Sequence, residues 1–254
     1  MKDTSQPRYH LIDLLRGVLF LLVIVYHLFF DLVYIFGVNI PWFSGTAGNI
    51  LQTAGAGGLI LISGISCNFS GSNLKRGVRI FLWGMTITIA TLILEPFGLR
   101  VFVWFGILHL IGVSGILVGA FEDKLWSKIP PALGAAASAL LYAFTFGISY
   151  GFVGFFGIPF IKLPAFLYNY PGLEWLGLIT KGFSSSDFFP VFPHFFIFLF
   201  GYFVWKSVKI PSRISDARLA PINFIGRHTL LIYVLHQPVL YGILWLIFTF
   251  VTRL

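Results

Sequence analysis

The chain has 254 residues, of which 57% are apolar and only 10% are charged, whereas a soluble domain carries about a quarter charged residues. This composition excludes a soluble globular protein, because so few polar side chains cannot cover a surface that faces water. The net charge of +8 does not indicate nucleic-acid binding, since the basic residues lie in short clusters between apolar segments. The single cysteine, Cys67, excludes an internal disulfide framework and a CxxC motif.

Apolar segments of roughly 20 residues, the length that crosses the hydrocarbon of a bilayer as a helix, predict an all-α polytopic membrane bundle. Helices are favoured over strands because each segment then satisfies its own backbone hydrogen bonds in lipid, and no alternating barrel pattern occurs. About seven spans are predicted, at residues 12–36, 47–69, 78–94, 101–120, 131–150, 188–206 and 223–250. We expect them to form one membrane domain over residues 1–254.

The distribution of Lys and Arg between the spans predicts the orientation of the chain, because basic clusters mark cytoplasmic loops. The side predicted to be cytoplasmic holds Lys2, Arg8, Arg16, Lys75, Arg76, Arg79, Lys124, Lys128, Lys206, Lys209, Arg213, Arg218 and Arg227. The opposite side holds only Arg100, Lys162, Lys181 and Arg253. The N-terminus is therefore expected in the cytoplasm and the C-terminus outside.

The longest connection between predicted spans, residues 151–187, is expected on the outer side. It is rich in glycine, proline and aromatic residues. Loops of this length are usually functional or disordered, and the aromatic content argues against disorder. The segment is therefore predicted to form an interfacial cap or lid over the bundle.

Two titratable residues, His27 and Asp31, lie in the outer half of the first predicted span. A charged group in hydrocarbon costs several kcal/mol unless it is paired or hydrated, so such groups usually serve function. Residues i and i+4 share a helix face, so Asp31 is expected to accept a hydrogen bond from one ring nitrogen of His27. The other nitrogen would then be available as a base. The alternative is a pair that only neutralises itself at a helix interface.

Other polar residues extend this predicted site. Asp187 and His194 lie at the outer start of the sixth span and could join the same outer cavity. His109 and His236 fall near the middle of the membrane, where a single histidine more often links two helices by a hydrogen bond. Together with His27 they could line a polar path between the two faces.

Basic residues at the inner ends of the spans could bind an anionic cytoplasmic ligand such as a nucleotide phosphate. Arg16 and Arg227 lie within apolar runs, which favours a functional role, and His228 follows Arg227 directly. For Arg76 and its basic neighbours, ordinary anchoring on the cytoplasmic side is the stronger alternative. No HExxH motif or similarly tight ligand spacing occurs, so no metal site is predicted.

Five strings of the sequence carry a resemblance to a known family. They are Ile12-Asp-Leu-Leu-Arg-Gly17, Tyr26-His-Leu-Phe-Phe-Asp-Leu32, Phe105-Gly-Ile-Leu-His109, Asp187-Phe-Phe-Pro190 and Ile225-Gly-Arg-His-Thr-Leu-Leu-Ile-Tyr-Val-Leu-His-Gln-Pro238. In this order, over nearly the whole chain, they resemble the prokaryotic membrane proteins grouped with the heparan-alpha-glucosaminide N-acetyltransferase catalytic domain. The resemblance implies a multi-pass acyltransferase of the prokaryotic inner membrane. It would move an acetyl group from cytoplasmic acetyl-CoA to an amine or hydroxyl of a sugar or glycan outside.

The resemblance also suggests a role for each candidate residue. His27 would be the base and Asp31 its orienting partner, with His109 or His236 as donors near the thioester. Acetyl-CoA would be bound by Arg16, Arg227, His228 and Arg76, and the acceptor by Asp187 and His194. Two other classes stay open: a small proton-coupled transporter or flippase that uses the same residues, and a non-catalytic membrane assembly partner. The sequence leaves an oligomer possible.

Overall fold

The structure is a computed structural model that describes residues 10–95, 101–208 and 219–251. The chain divides into two compact units, one formed by Met1–Leu59 with Pro211–Leu254 and the other by Ile60–Ile210. The α-helices are α1 (His10–Phe30), α2 (Thr46–Ile65), α3 (Asn73–Leu94), α4 (Ile107–Phe121), α5 (Pro131–Thr145), α6 (Val191–Ser207), α7 (Ala220–Arg227) and α8 (Thr229–Val251). Two strands, β1 (Phe152–Phe155) and β2 (Ile158–Lys162), lie between α5 and α6.

Five helical segments in the described part of the chain are long and apolar enough to cross a membrane. They are His10–Ile35, Thr46–Phe69, Asn73–Leu94, Pro131–Tyr150 and Thr229–Phe250. The prediction of a mostly helical protein with several membrane spans is therefore confirmed. The shorter apolar helices α4 and α6 overlap the other two predicted spans, and the count of seven spans stays a prediction. Seven of the basic residues that predict the orientation lie outside the described residues: Lys2, Arg8, Arg100, Lys209, Arg213, Arg218 and Arg253.

The predicted starts of three spans are wrong. The third span was expected from residue 78, but α3 begins at Asn73. The fourth span was expected from residue 101, but α4 begins only at Ile107 because Gly106 has an extended backbone and caps the helix. The last span was expected from residue 223, but the helix is interrupted at His228, whose backbone leaves the α-helical region (φ −106°, ψ 18°). Arg227 and His228 therefore close the short helix α7 instead of opening the last membrane helix.

In the first unit, α7 packs with its backbone directly against α1. A Cβ at Gly226 would lie only 1.8 Å from the carbonyl oxygen of Asp13, and a Cβ at Gly17 only 2.2 Å from that of Ile222. Small residues at these two positions permit the close approach. The contact places the end of α7 beside the first turns of α1.

In the second unit, glycines also set the crossing of α3 and α4. A Cβ at Gly77 would lie 2.5 Å from the backbone nitrogen of Ile116, and one at Gly112 would lie 2.6 Å from that of Phe81. Such contacts bring two helix backbones together without a side chain between them, as is common in membrane helices.

Replacing Gly77 by Ala is therefore expected to destabilise the protein by about 1–3 kcal/mol, because the new methyl group must push two backbones apart. The control is Gly242→Ala in α8, where a Cβ would meet no atom within 4 Å and no loss is expected. Thermal unfolding of both purified variants in one detergent measures the difference. Equal unfolding temperatures for Gly77→Ala and the unaltered protein would contradict the close crossing.

The connection between α5 and α6 is held by a buried carboxylate. Glu174 is only 4% exposed, and its Oε2 accepts a hydrogen bond from the Gly172 N–H at 2.6 Å while its Oε1 accepts one from the Thr180 hydroxyl. Burial raises the pKa of the Glu174 carboxyl, but these hydrogen bonds outweigh burial and leave the pKa below its usual value. The ionised carboxylate therefore ties residues 172–180 together. The lid role predicted for residues 151–187 stays a prediction.

Candidate functional site

His27 on α1 and His236 on α8 face each other in the first unit. The Nε2 atom of His236 lies 3.3 Å from Nδ1 of His27, and the two ring centroids are 4.9 Å apart. His236 is buried at 8% exposure and packs edge-on against the fully buried ring of Phe20. His27 is half-buried. The sequence placed these two histidines on separate spans, and the fold makes them neighbours.

The hydrogen-bond partners of the two rings fix their neutral tautomers. Nδ1 of His27 lies 2.9 Å from the carbonyl oxygen of Val23, and Nδ1 of His236 contacts the carbonyl oxygen of Tyr233. A carbonyl oxygen only accepts, so each Nδ1 carries a proton and each Nε2 carries a lone pair. The Nε2 lone pair of His236 therefore faces the Nδ1–H of His27. The Nε2 of His27 is left as an acceptor, with no hydrogen-bond partner among the described residues.

The expected hydrogen bond between His27 and Asp31 is not formed, which corrects the sequence prediction. Asp31 is fully buried, and its Oδ1 accepts a hydrogen bond from the side-chain amide of Gln237 on α8 at 2.6 Å. The two residues do share a helix face, but the His27 ring bonds back to the Val23 carbonyl of its own helix and Asp31 bonds across to α8. Oδ2 of Asp31 and Oε1 of Gln237 are buried without a hydrogen-bond partner in the described structure.

A cluster of charged side chains joins α1 to the end of α7. Asp13 forms ion pairs with two of the residues predicted to bind acetyl-CoA, at 3.3 Å from Nη1 of Arg16 and 3.5 Å from Nε of Arg227. Arg16 also donates to the carbonyl oxygen of Gly226 at 3.1 Å. His228 is exposed, and its ring lies on that of Phe224. Among the described residues, the cluster brings two guanidinium groups together with one carboxylate.

His109 belongs to the second unit and has the geometry of a helix cap. Its Nδ1 accepts a hydrogen bond from the Gly106 N–H at 3.1 Å. Its Nε2 lies 3.3 Å from the Thr88 hydroxyl, which itself donates to the carbonyl oxygen of Val103. Both ring nitrogens are therefore occupied within the protein, and the side chain is only 2% exposed. His109 is for this reason not among the catalytic residues proposed below.

Asp187 also caps α4 in the second unit. Its Oδ2 accepts a hydrogen bond from the Ile107 N–H at 3.2 Å, in the first turn of a helix, where a negative charge is favourable. His194 is half-buried, with Nδ1 2.9 Å from the carbonyl oxygen of Pro190. The acceptor-binding role predicted for Asp187 and His194 stays a prediction.

Arg76 points into the second unit. Its guanidinium donates to the carbonyl oxygen of Ser63 at 3.4 Å and lies 3.9 Å from the Sγ atom of Cys67. Its predicted contact with acetyl-CoA stays a prediction. Within the described ranges, no three His, Cys, Asp or Glu side chains form a group able to hold a metal ion.

Sequence reasoning missed a second polar network, which links α3, α4 and α6. Asn73 donates to Glu122 at 3.0 Å, and the buried hydroxyl of Tyr202 donates to the same carboxylate at 3.3 Å. Lys206 in turn donates to the Tyr202 hydroxyl. Glu122 directly follows the apolar run of α4, and an acidic residue at the end of a membrane helix was the feature from which the sequence could have predicted this network.

Comparison with known proteins identifies the family. The model of the family described as heparan-alpha-glucosaminide N-acetyltransferase, catalytic, matches residues 8–238. The chain belongs to this family. No curated protein and no solved structure matched the chain. Membership in the heparan-alpha-glucosaminide N-acetyltransferase catalytic family, together with the apolar helices, indicates an integral membrane enzyme of the acyltransferase type. The resemblance read from the five sequence strings is thus confirmed.

Proposed function

We propose that the protein transfers an acetyl group from cytoplasmic acetyl-CoA to an amine or hydroxyl of a sugar or glycan on the outer side of the membrane. The observation that carries this proposal is the contact between His27 and His236, which leaves Nε2 of His27 as a lone-pair acceptor. Acyl transfer to an amine or hydroxyl needs such a base. Family membership supports the same reaction class.

In the proposed reaction, Nε2 of His27 takes a proton from the acceptor as its nitrogen or oxygen attacks the thioester carbonyl carbon. The C–S bond then breaks, and the sulfur of CoA leaves with the proton from His27. Acetyl remains on the acceptor, and no acyl-enzyme forms. The protonated His27 ring is stabilised by sharing its Nδ1 proton between the Val23 carbonyl and Nε2 of His236. His236 thus takes the orienting role that the sequence assigned to Asp31.

The charged cluster of Arg16, Asp13 and Arg227 is the proposed site for the phosphates of acetyl-CoA, because guanidinium groups bind phosphate oxygens in pairs. Arg16 and His27 are eleven residues apart on α1, which is roughly 16 Å along a helix. An extended molecule with phosphates at one end and a thioester at the other fits such a separation. The proposed topology has seven spans, with the N-terminus in the cytoplasm and the C-terminus outside.

Binding of acetyl-CoA to the purified protein in detergent tests the donor site. Arg227→Ala is expected to weaken binding by about tenfold or more, because one hydrogen-bonded contact to a charged phosphate is lost. Lys75→Ala is the matched control, since Lys75 is an exposed basic residue of the other unit, and its loss should leave binding unchanged. Equal losses for both variants would mean that only overall charge attracts the ligand.

Release of CoA by protein in liposomes tests the reaction itself. With acetyl-CoA on one side and amino sugars or glycans on the other, acetylated acceptor should appear together with free CoA. The competing reading, a proton-coupled transporter or flippase, requires movement of the acceptor without acetylation. Flux of unmodified acceptor with no release of CoA would therefore overturn the proposed function.

A further inference from the structure

The hairpin of β1 and β2, which follows α5 in the sequence, exposes a group of large apolar side chains. Phe156, Ile158, Phe160 and Ile161 are each about 60% exposed, at 59%, 62%, 62% and 66%. A contiguous exposed apolar patch usually marks a contact with a membrane or another protein. These four side chains are called the hairpin patch below.

The turn of the hairpin holds an aromatic residue in a backbone conformation that does not suit it. Phe156 and Gly157 both have positive φ, at 45° and 89°. A two-residue turn of this kind favours Asn-Gly, and a bulky side chain at positive φ is strained. Strain that a chain retains points to a function for the residue concerned. Here it holds an exposed phenyl ring at the tip of the hairpin.

The hairpin folds back along α5 and does not extend away from it. The Phe156 N–H donates to the carbonyl oxygen of Ala143 at 3.1 Å, and the ring of Phe144 contacts those of Phe155 and Phe160. Ala143 lies seven residues before the end of the candidate span Pro131–Tyr150, or roughly 10 Å along a helix. The tip of the hairpin is therefore level with the last part of a membrane-spanning segment.

The exposed surface of α5 is also apolar and includes Leu140 and Leu141. When α5 crosses the bilayer, these leucines face lipid, and the hairpin patch lies beside the same helix closer to the surface. We infer that the hairpin patch is embedded in the lipid bilayer, at the membrane face where α5 ends. The partner of this surface is phospholipid, and the hairpin is an anchor in the membrane interface.

The backbone hydrogen bonding of the hairpin is compatible with a position in the headgroup region of the bilayer. The Phe156 N–H is satisfied by Ala143, and the Leu163 N–H donates to Gly151 at 2.9 Å. Among the residues that the structure describes, β2 pairs with β1 alone. Its other edge therefore needs water or headgroups, which the centre of the bilayer does not supply. Lys162 at the end of β2 is exposed and can direct its ammonium group to a lipid phosphate.

Spin labels on the full-length protein in liposomes of phosphatidylcholine and phosphatidylglycerol test this depth. The buried Cys67 is first changed to Ser, and single cysteines are introduced by Ile158→Cys and Ile161→Cys. Leu140→Cys on α5 is the lipid-facing reference, and Lys181→Cys in the same connection is the water-facing reference. Relaxation of each label by oxygen, which concentrates in lipid, is compared with relaxation by a water-soluble nickel complex.

The expected ratio of oxygen to nickel accessibility at the two hairpin positions is several-fold higher than at Lys181 and closer to that at Leu140. A ratio equal to that at Lys181 would place the hairpin in water and overturn the inference. Low accessibility to both reagents would also overturn it, because the patch would then be covered by protein, either a second copy of the chain or the bundle itself.

Discussion

Replacing His27 by Ala is expected to lower the rate of acetyl transfer by about 100-fold to 10,000-fold, the range that a positioned general base contributes. The acceptor then has no group to take its proton at the moment of attack. The measurement is the initial rate of CoA release at saturating acetyl-CoA. Binding of acetyl-CoA should be retained, because its phosphates are proposed to bind near Arg16, roughly 16 Å along α1 from His27.

His27→Asn is the matched variant for this experiment. Its amide can still donate a hydrogen bond to the Val23 carbonyl, as the ring does, but it cannot take up a proton. Both variants should therefore lose activity to the same extent while the unfolding temperature changes little for the Asn variant. Full acetyl transfer by a folded His27→Ala protein would remove His27 from the reaction. Recovery of activity in the Asn variant would mean that only polarity is needed at this position.

Replacing Asp31 by Asn is expected to raise stability and lower activity together. The carboxylate is fully buried, with one oxygen bonded to Gln237 and the other without a partner, and a buried charge that is incompletely paired is costly. A neutral amide of the same size should add about 1–3 kcal/mol to the free energy of unfolding. It also removes a negative charge four residues along the chain from His27, which would favour the protonated ring, so the transfer rate should fall.

Gln237→Ala gives the opposite result for stability. It removes the amide that donates to Asp31 and leaves the carboxylate without its described partner, so both the unfolding temperature and the transfer rate should fall. Thermal unfolding and CoA release, measured on the same preparations, separate the two variants. If Asp31→Asn proves less stable than the unaltered protein and turns over normally, Asp31 is a structural residue only.

Hydropathy predicted the helices well because lipid leaves the backbone few alternatives to a helix. It predicted helix ends less well, since these depend on single contacts. The start of α4 is set by Gly106 and by hydrogen bonds to Asp187 and the ring of His109. None of these contacts can be read from a run of apolar residues.

The candidate site was only partly predictable for a similar reason. His27 and His236 were both singled out as polar residues in apolar spans, but their contact depends on α1 packing against α8, which hydropathy does not specify. The pairing of Asp31 with His27 was wrong because each side chain has another partner, the Val23 carbonyl and His236 for His27 and Gln237 for Asp31. Gln237 was overlooked although an amide beside His236 in an apolar span is itself unusual.

The π-helical segment at Asp31–Ile35 lets the chain differ in length at this point. A π turn is an α-helix that holds one extra residue. Deleting a single residue there would restore the α-helical repeat and remove the bulge, while the backbone that follows would keep nearly the same direction. Phe36, which stacks on Phe248 of α8 at 4.7 Å between ring centroids, would therefore keep its partner. A one-residue gap at this point in a relative would signal the loss of the bulge beside Asp31 and not a different packing of α8.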